Sequence, residues 1–92
     1  MTQTLMRALT IVNKKGLHAR ASARFVSVTE AHDARATVRR DGLEVSGDSI
    51  MGLMMLAAAQ GSVIEVETEG PDAERLIEAL EALVAGGFGE DD

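Results

Sequence analysis

Val63-Ile64-Glu65-Val66-Glu67-Thr68-Glu69 alternates without a break, placing Ile64, Val66 and Thr68 on one side of an extended chain and three glutamates on the other. Successive strand side chains point to opposite faces, so this stretch predicts a sheet with one face buried and one in water. Such a sheet needs cover on its apolar side only, and the remaining sequence supplies that cover as helices. Asp41-Gly42 separates two strand-like runs, residues 36–40 and 43–46. Both turn positions tolerate positive φ, which predicts an antiparallel hairpin. Residues 5–12 read as a further strand, with Leu9 and Ile11 assigned to its inward face.

Three segments carry the helical period. In residues 19–31, Ala19, Ser22, Ala23 and Val26 form a stripe of small residues with Phe25 at its edge, while Arg20, Arg24 and Ser27 fall opposite. A short segment from Ile50 follows Ser49, a natural N-cap. Its inward side is assigned to Ile50, Leu53 and Ala57. The last helix, residues 72–85, follows Pro71, buries Ala73, Leu76, Leu80, Leu83 and Val84, and turns Glu74, Glu78 and Glu81 outward. Gly86-Gly87 ends it. The order β-α-β-β-α-β-α predicts an α+β fold, an open-faced sandwich in which a four-stranded antiparallel sheet carries three helices on one face. One domain spans residues 1–88, and residues 89–92 form an acidic tail expected to fray.

Composition narrows the function classes. With 92 residues the chain holds one modest core, and 46% apolar residues mark it as globular. It has no cysteine, hence no disulfide framework or thiolate metal site. The opening Met1-Thr2-Gln3-Thr4 predicts no signal peptide, and no run approaches the roughly 18 apolar residues of a membrane span. A cytoplasmic location is the expectation. The net charge of −6 is unevenly spread: residues 1–40 hold eight Lys or Arg against two acids, and residues 61–92 hold one Arg against ten acids. An acidic balance with two phenylalanines as the only aromatic residues argues against nucleic acid as a partner.

The basic half surrounds Gly16-Leu17-His18-Ala19-Arg20-Ala21, with Lys14, Lys15 and Arg24 nearby in sequence. This stretch places an imidazole where a strand hands over to a helix. The first turn of a helix has unpaired N–H groups and the positive end of the dipole, so it attracts anions. A nucleophilic ring nitrogen, the backbone donors of Ala19 and Arg20, and the Arg20 guanidinium together suit the handling of a phosphoryl group. A single histidine in a small domain is more often structural, and His32 in Glu30-Ala31-His32-Asp33 illustrates that ordinary case. The glycine-led turn and Arg20 set His18 apart. Lys14 and Lys15, taken singly, read as solvated loop residues.

Ser49 has a structural role as a helix cap, contributing about 1 kcal/mol. It also has a regulatory reading, because a phosphate at a helix N-terminus leaves the fold intact and changes the charge of the surface. Beyond it, Met51, Met54 and Met55 make the short helix apolar around most of its circumference. Either the helix is buried all round or an apolar patch faces solvent. Complete burial is hard to arrange in one small domain, and methionine suits a surface that must fit several partners, so a docking patch is the expectation.

Gly16-Leu17-His18-Ala19-Arg20 resembles the phosphohistidine signature of the HPr family, the histidine phosphocarriers of the bacterial phosphoenolpyruvate-dependent phosphotransferase system. Asp48-Ser49-Ile50-Met51-Gly52-Leu53-Met54 resembles that family's regulatory serine segment, at the matching separation downstream. The resemblance covers about residues 5 to 88. It implies that His18 accepts a phosphoryl group on Nδ1 from phosphorylated Enzyme I and passes it to a histidine of an EIIA-type acceptor. Arg20 would balance the phosphoryl charge, and Ser49 would be the target of an HPr kinase/phosphorylase. Met51 and Met54 match positions on that family's partner-docking surface, and Met55 and Arg24 are assigned to the same surface from their places on the two helices. Such a protein is a stoichiometric carrier, not an enzyme, with no cofactor, metal or membrane partner, and is expected to be a monomer. It would serve sugar transport or nitrogen-related regulation. The chain departs from the common family pattern in having Ala21 where many members have Pro, and Asp48 where many have Lys. The alternatives are a regulatory binding module on the same fold acting through the Met51/Met54 patch, and a small domain with no phosphoryl chemistry.

Overall fold

A computed structural model describes residues 3–90. Among them, four strands form one antiparallel sheet: β1 (Gln3–Thr10), β2 (Arg35–Arg40), β3 (Leu43–Ser46) and β4 (Val63–Gly70), in the spatial order β1-β4-β2-β3. Helices α1 (Ala19–Glu30), α2 (Ile50–Met55) and α3 (Ala73–Ala85) complete the expected order, and a 3₁₀ turn over Gly87–Gly89 follows. The fold is the predicted α+β open-faced sandwich.

The alternation in β4 governs the sheet. Ile64, Val66 and Thr68 are all fully buried, and each faces a buried residue on a neighbouring strand. Leu9 lies opposite Ile64 on β1, and Val38 and Ala36 lie opposite Val66 and Thr68 on β2. The solvent face is a charged lattice. Arg39 reaches both Glu44 and Glu67 at 2.8 Å, and Arg35 pairs with Glu69. Opposite charges across neighbouring strands favour this register. Register also explains the mixed pattern of β1. Arg7 lies opposite Val66 and therefore on the helix side, at the sheet edge, where it meets Glu81 of α3 at 2.7 Å. The hairpin turn is as predicted, with Asp41 at φ 51 and Gly42 at φ 80.

Three details of the helices depart from the sequence pattern. In α1 the buried residues are Ala21, Ser22, Phe25, Val26 and Thr29, so Phe25 is central to the interface and Ala19 is exposed. The large ring, not the run of small residues, sets how the helix rolls on the sheet. In α3, Ile77 is fully buried, whereas Leu83 is only partly so. In α2, Leu53 is buried but Ile50 and Ala57 are exposed; the helix stops at Met55, and the chain turns through Ala57 at φ 51 to bury Leu56 and Ala58 instead. Six residues are too few to carry a stripe of two turns. No helix among the described residues is long and apolar enough to cross a membrane.

Candidate functional site

The loop from Asn13 to Leu17 builds the site by clamping itself to the segment after α2. Gly16 adopts φ +63, and a Cβ there would lie 2.3 Å from the Ala58 carbonyl oxygen. No other residue type fits both the backbone and the space. The Leu17 N–H donates to that same oxygen at 2.9 Å, and the Leu17 side chain joins the core. Asn13 is buried, and its Nδ2 donates to the Gly16 carbonyl at 2.9 Å.

His18 is thereby delivered to the N-cap of α1, with extended backbone at φ −77 and ψ −178. Its carbonyl accepts from Ser22 N–H at 2.9 Å, and its ring takes the place usually held by a Ser or Asp oxygen: Nδ1 accepts from the Arg20 N–H at 3.2 Å. An acceptor nitrogen carries a lone pair and no proton. His18 Nδ1 is thus an available nucleophile beside the first free donors of a helix. The ring is partly exposed, at 25% of its side-chain surface, so a partner can reach it. Arg20 is exposed and takes part in no ion pair among the described residues, which leaves its guanidinium free to meet an anion.

Other predicted residues fall around this centre. Arg24 is exposed, but its guanidinium also donates to the Phe88 carbonyl, so it helps hold the C-terminal segment as well as face solvent. Ser49 caps α2, its hydroxyl accepting from Gly52 N–H at 3.0 Å, while the Asp48 carboxylate bonds the Ser46 hydroxyl at 2.6 Å. Met51, Met54 and Met55 are 74%, 42% and 65% exposed. They form an apolar patch on a helix that packs against α1 and whose exit chain touches Gly16.

Two contributors escaped the sequence reading. Asn13 appeared only as loop, and Gly89 and Glu90 as the start of a frayed tail. Phe88 is fully buried, and Glu90 folds back so that Oε2 meets His18 Nε2 and Oε1 accepts from Asn13 Nδ2 at 2.9 Å. The one signal for this was a lone Phe between glycines, which no solvated tail needs. Asp91 and Asp92 lie outside the described residues.

Residues 5–86 match the family described as PTS HPr component phosphorylation site. The chain belongs to the HPr family. It is 48% identical over 86 residues to phosphocarrier protein HPr of Cupriavidus necator, covering 94% of this chain and 97% of that one. Phosphocarrier protein NPr of Escherichia coli strain K12 is 38% identical over 89 residues, covering 96% and 99%. A crystal structure of HPr-C-His from Thermoanaerobacter tengcongensis superposes with a TM-score of 0.90 at 39% identity, covering 96% of this chain and 99% of that one. As an HPr-family member the protein is a phosphocarrier of the phosphotransferase system and not a catalytic enzyme. The family works with phosphotransferase partners of the Enzyme I and EIIA type.

Proposed function

We propose that His18 Nδ1 is the phosphoryl acceptor of this carrier, taking the group from phosphorylated Enzyme I and passing it to a histidine of an EIIA-type protein. The observation that supports this reading is the hydrogen bond from Arg20 N–H to Nδ1, because a nitrogen that accepts keeps its lone pair, here at the α1 N-terminus. As the N–P bond forms, the N–H groups of Ala19 and Arg20 become available to the phosphoryl oxygens, and the Arg20 guanidinium offsets their charge. A partly exposed ring suits a carrier, because a deeply held phosphoryl group would not be released. The partner supplies the second nitrogen of each transfer.

Met51, Met54 and Met55, with Arg24, form the docking surface in this reading, and the protein acts as a cytoplasmic monomer that exposes His18 to successive partners. Phosphorylation of Ser49 by an HPr kinase/phosphorylase would add charge beside that apolar patch while the α2 N-terminus accommodates it. Asp48 adds a carboxylate next to that position, which weakens the case for regulation there relative to transfer at His18. The acceptor decides whether the output is sugar uptake or nitrogen-linked regulation.

The test is incubation with phosphoenolpyruvate and the cognate Enzyme I, followed by intact mass and acid treatment. An acid-labile phosphoryl group absent from His18→Ala is the expected result. A phosphate retained in His18→Ala would refute the assignment. No uptake from an Enzyme I active on its own carrier would favour the binding module acting through the Met51/Met54 patch.

A further inference from the structure

The chain beyond α3 is built to bring one carboxylate to the ring of His18. Gly86 and Gly87 release the helix, and Phe88, at φ 59 and with no exposed surface, pins the next turn into the core. The Arg24 guanidinium holds the Phe88 carbonyl, and Glu90 N–H donates to Gly87 O at 3.1 Å. Glu90 then reaches back with only 9% of its side chain exposed. Its two oxygens are used separately, Oε1 on Asn13 Nδ2 at 2.9 Å and Oε2 on His18 Nε2. Asn13 Nδ2 spends its other hydrogen on the Gly16 carbonyl, so the loop that carries His18 and the segment that carries Glu90 share one buried amide.

We propose that Glu90 is a positioning residue for phosphoryl transfer, holding the His18 proton on Nε2 so that the Nδ1 lone pair stays free. The role rests on His18 being the acceptor. Both ring nitrogens have defined partners: Nδ1 accepts from Arg20 N–H, and Nε2–H donates to a carboxylate. The second bond selects the tautomer that the first requires. In the transfer step the Nδ1 pair forms the new N–P bond while the donor's N–P bond breaks and returns its pair to the donor imidazole. No proton leaves Nδ1, because none is there. The positive charge that grows on the His18 ring is met by the Glu90 carboxylate, and onward transfer reverses the same movements. The hydrogen bond from Asn13 is the main influence holding the Glu90 carboxyl below the usual glutamate range, with burial opposing it and the bond to His18 adding to it. A lowered value favours the ionised carboxylate that this contact needs.

The test is ¹⁵N-histidine NMR at neutral pH on the unphosphorylated protein and on Glu90→Gln and Glu90→Ala, paired with phosphoryl uptake rates. Glutamine cannot serve both partners: with its oxygen on Asn13 it turns an amide donor toward His18 Nε2. The wild-type ring should sit in the Nε2–H form. Both variants should lower the Nε2–H to Nδ1–H ratio by about fivefold, with a comparable slowing of uptake and an amide spectrum that still reports the folded core. A tautomer ratio unchanged in both variants would overturn the proposal, whatever the rates. No phosphoryl uptake by the wild-type protein, with the tautomer shift still seen in the variants, would instead overturn His18 as acceptor and with it the purpose of the contact.

Discussion

Replacing Gly16 with alanine separates what the loop needs from what a turn merely prefers. At φ +63 an alanine meets the left-handed penalty of about 1–2 kcal/mol. The new Cβ would also sit 2.3 Å from the Ala58 oxygen and 3.0 Å from Ala59 Cα, both in backbone that cannot swing aside. Ordinary contact requires a retreat of about 1 Å, which carries the oxygen out of reach of Leu17 N–H, now 2.9 Å away. Losing that buried hydrogen bond costs about another 1–3 kcal/mol. The sum, about 2–5 kcal/mol, is a large share of a small domain's stability. In guanidinium chloride, with a slope of about 2 kcal/mol per molar, the midpoint should fall by about 1–2.5 M. Gly42→Ala is the control, since Gly42 has φ +80 but nothing within 4 Å of the added Cβ, and its cost should stay near the backbone penalty alone. A Gly16→Ala midpoint shift no larger than that of Gly42→Ala would refute the close approach to Ala58. The variant that stays folded should also transfer more slowly, because His18 N–H bonds Gly16 O at 2.9 Å and moves with it.

Ser49→Ala removes the oxygen that caps Gly52 N–H and should cost about 1 kcal/mol, lowering the thermal midpoint by roughly 4–8 °C; an unchanged midpoint would show the cap to be idle. Phe88→Ala empties a fully buried site and should cost about 3–5 kcal/mol in denaturant unfolding, far more than any solvated tail residue. A cost below about 1 kcal/mol would place Phe88 outside the core. On acidification, the Glu90 carboxyl should titrate below the usual glutamate range, read by ¹³C carboxyl NMR, and Asn13→Ala should raise its midpoint. Because the folded value is the lower one, the stabilisation is present above the unfolded value and disappears as pH falls through the folded value. A Glu90 midpoint at or above the ordinary range would contradict the Asn13 bond.

Much of this was legible along the chain because it is local. The alternation of residues 63–69 announced a half-buried sheet, and Asp41-Gly42 announced its hairpin. Gly16-Leu17-His18-Ala19-Arg20 placed the imidazole at a helix start, and Ser49 appeared as a cap, as observed. What misled was helical phase. A stripe of Ala and Ser spans too wide an arc to say where Phe25 points, and the burial of Phe25 then turned Ala19 to solvent. In α2 the assumption of continued helix assigned Ala57 inward, whereas the chain breaks there and buries Leu56 and Ala58.

The sequence alone determined the elements, their order, and the placing of a histidine and an arginine at the start of α1. Those properties depend on side-chain period, turn conformations and residues within a few positions of one another. Tertiary structure alone decided that Asn13 and Glu90, 77 positions apart, share a hydrogen bond and that Glu90 meets the back of the His18 ring. No local propensity encodes such a contact. It exists because Phe88 needs burial, and the core in which it is buried lies beneath the loop that carries the histidine.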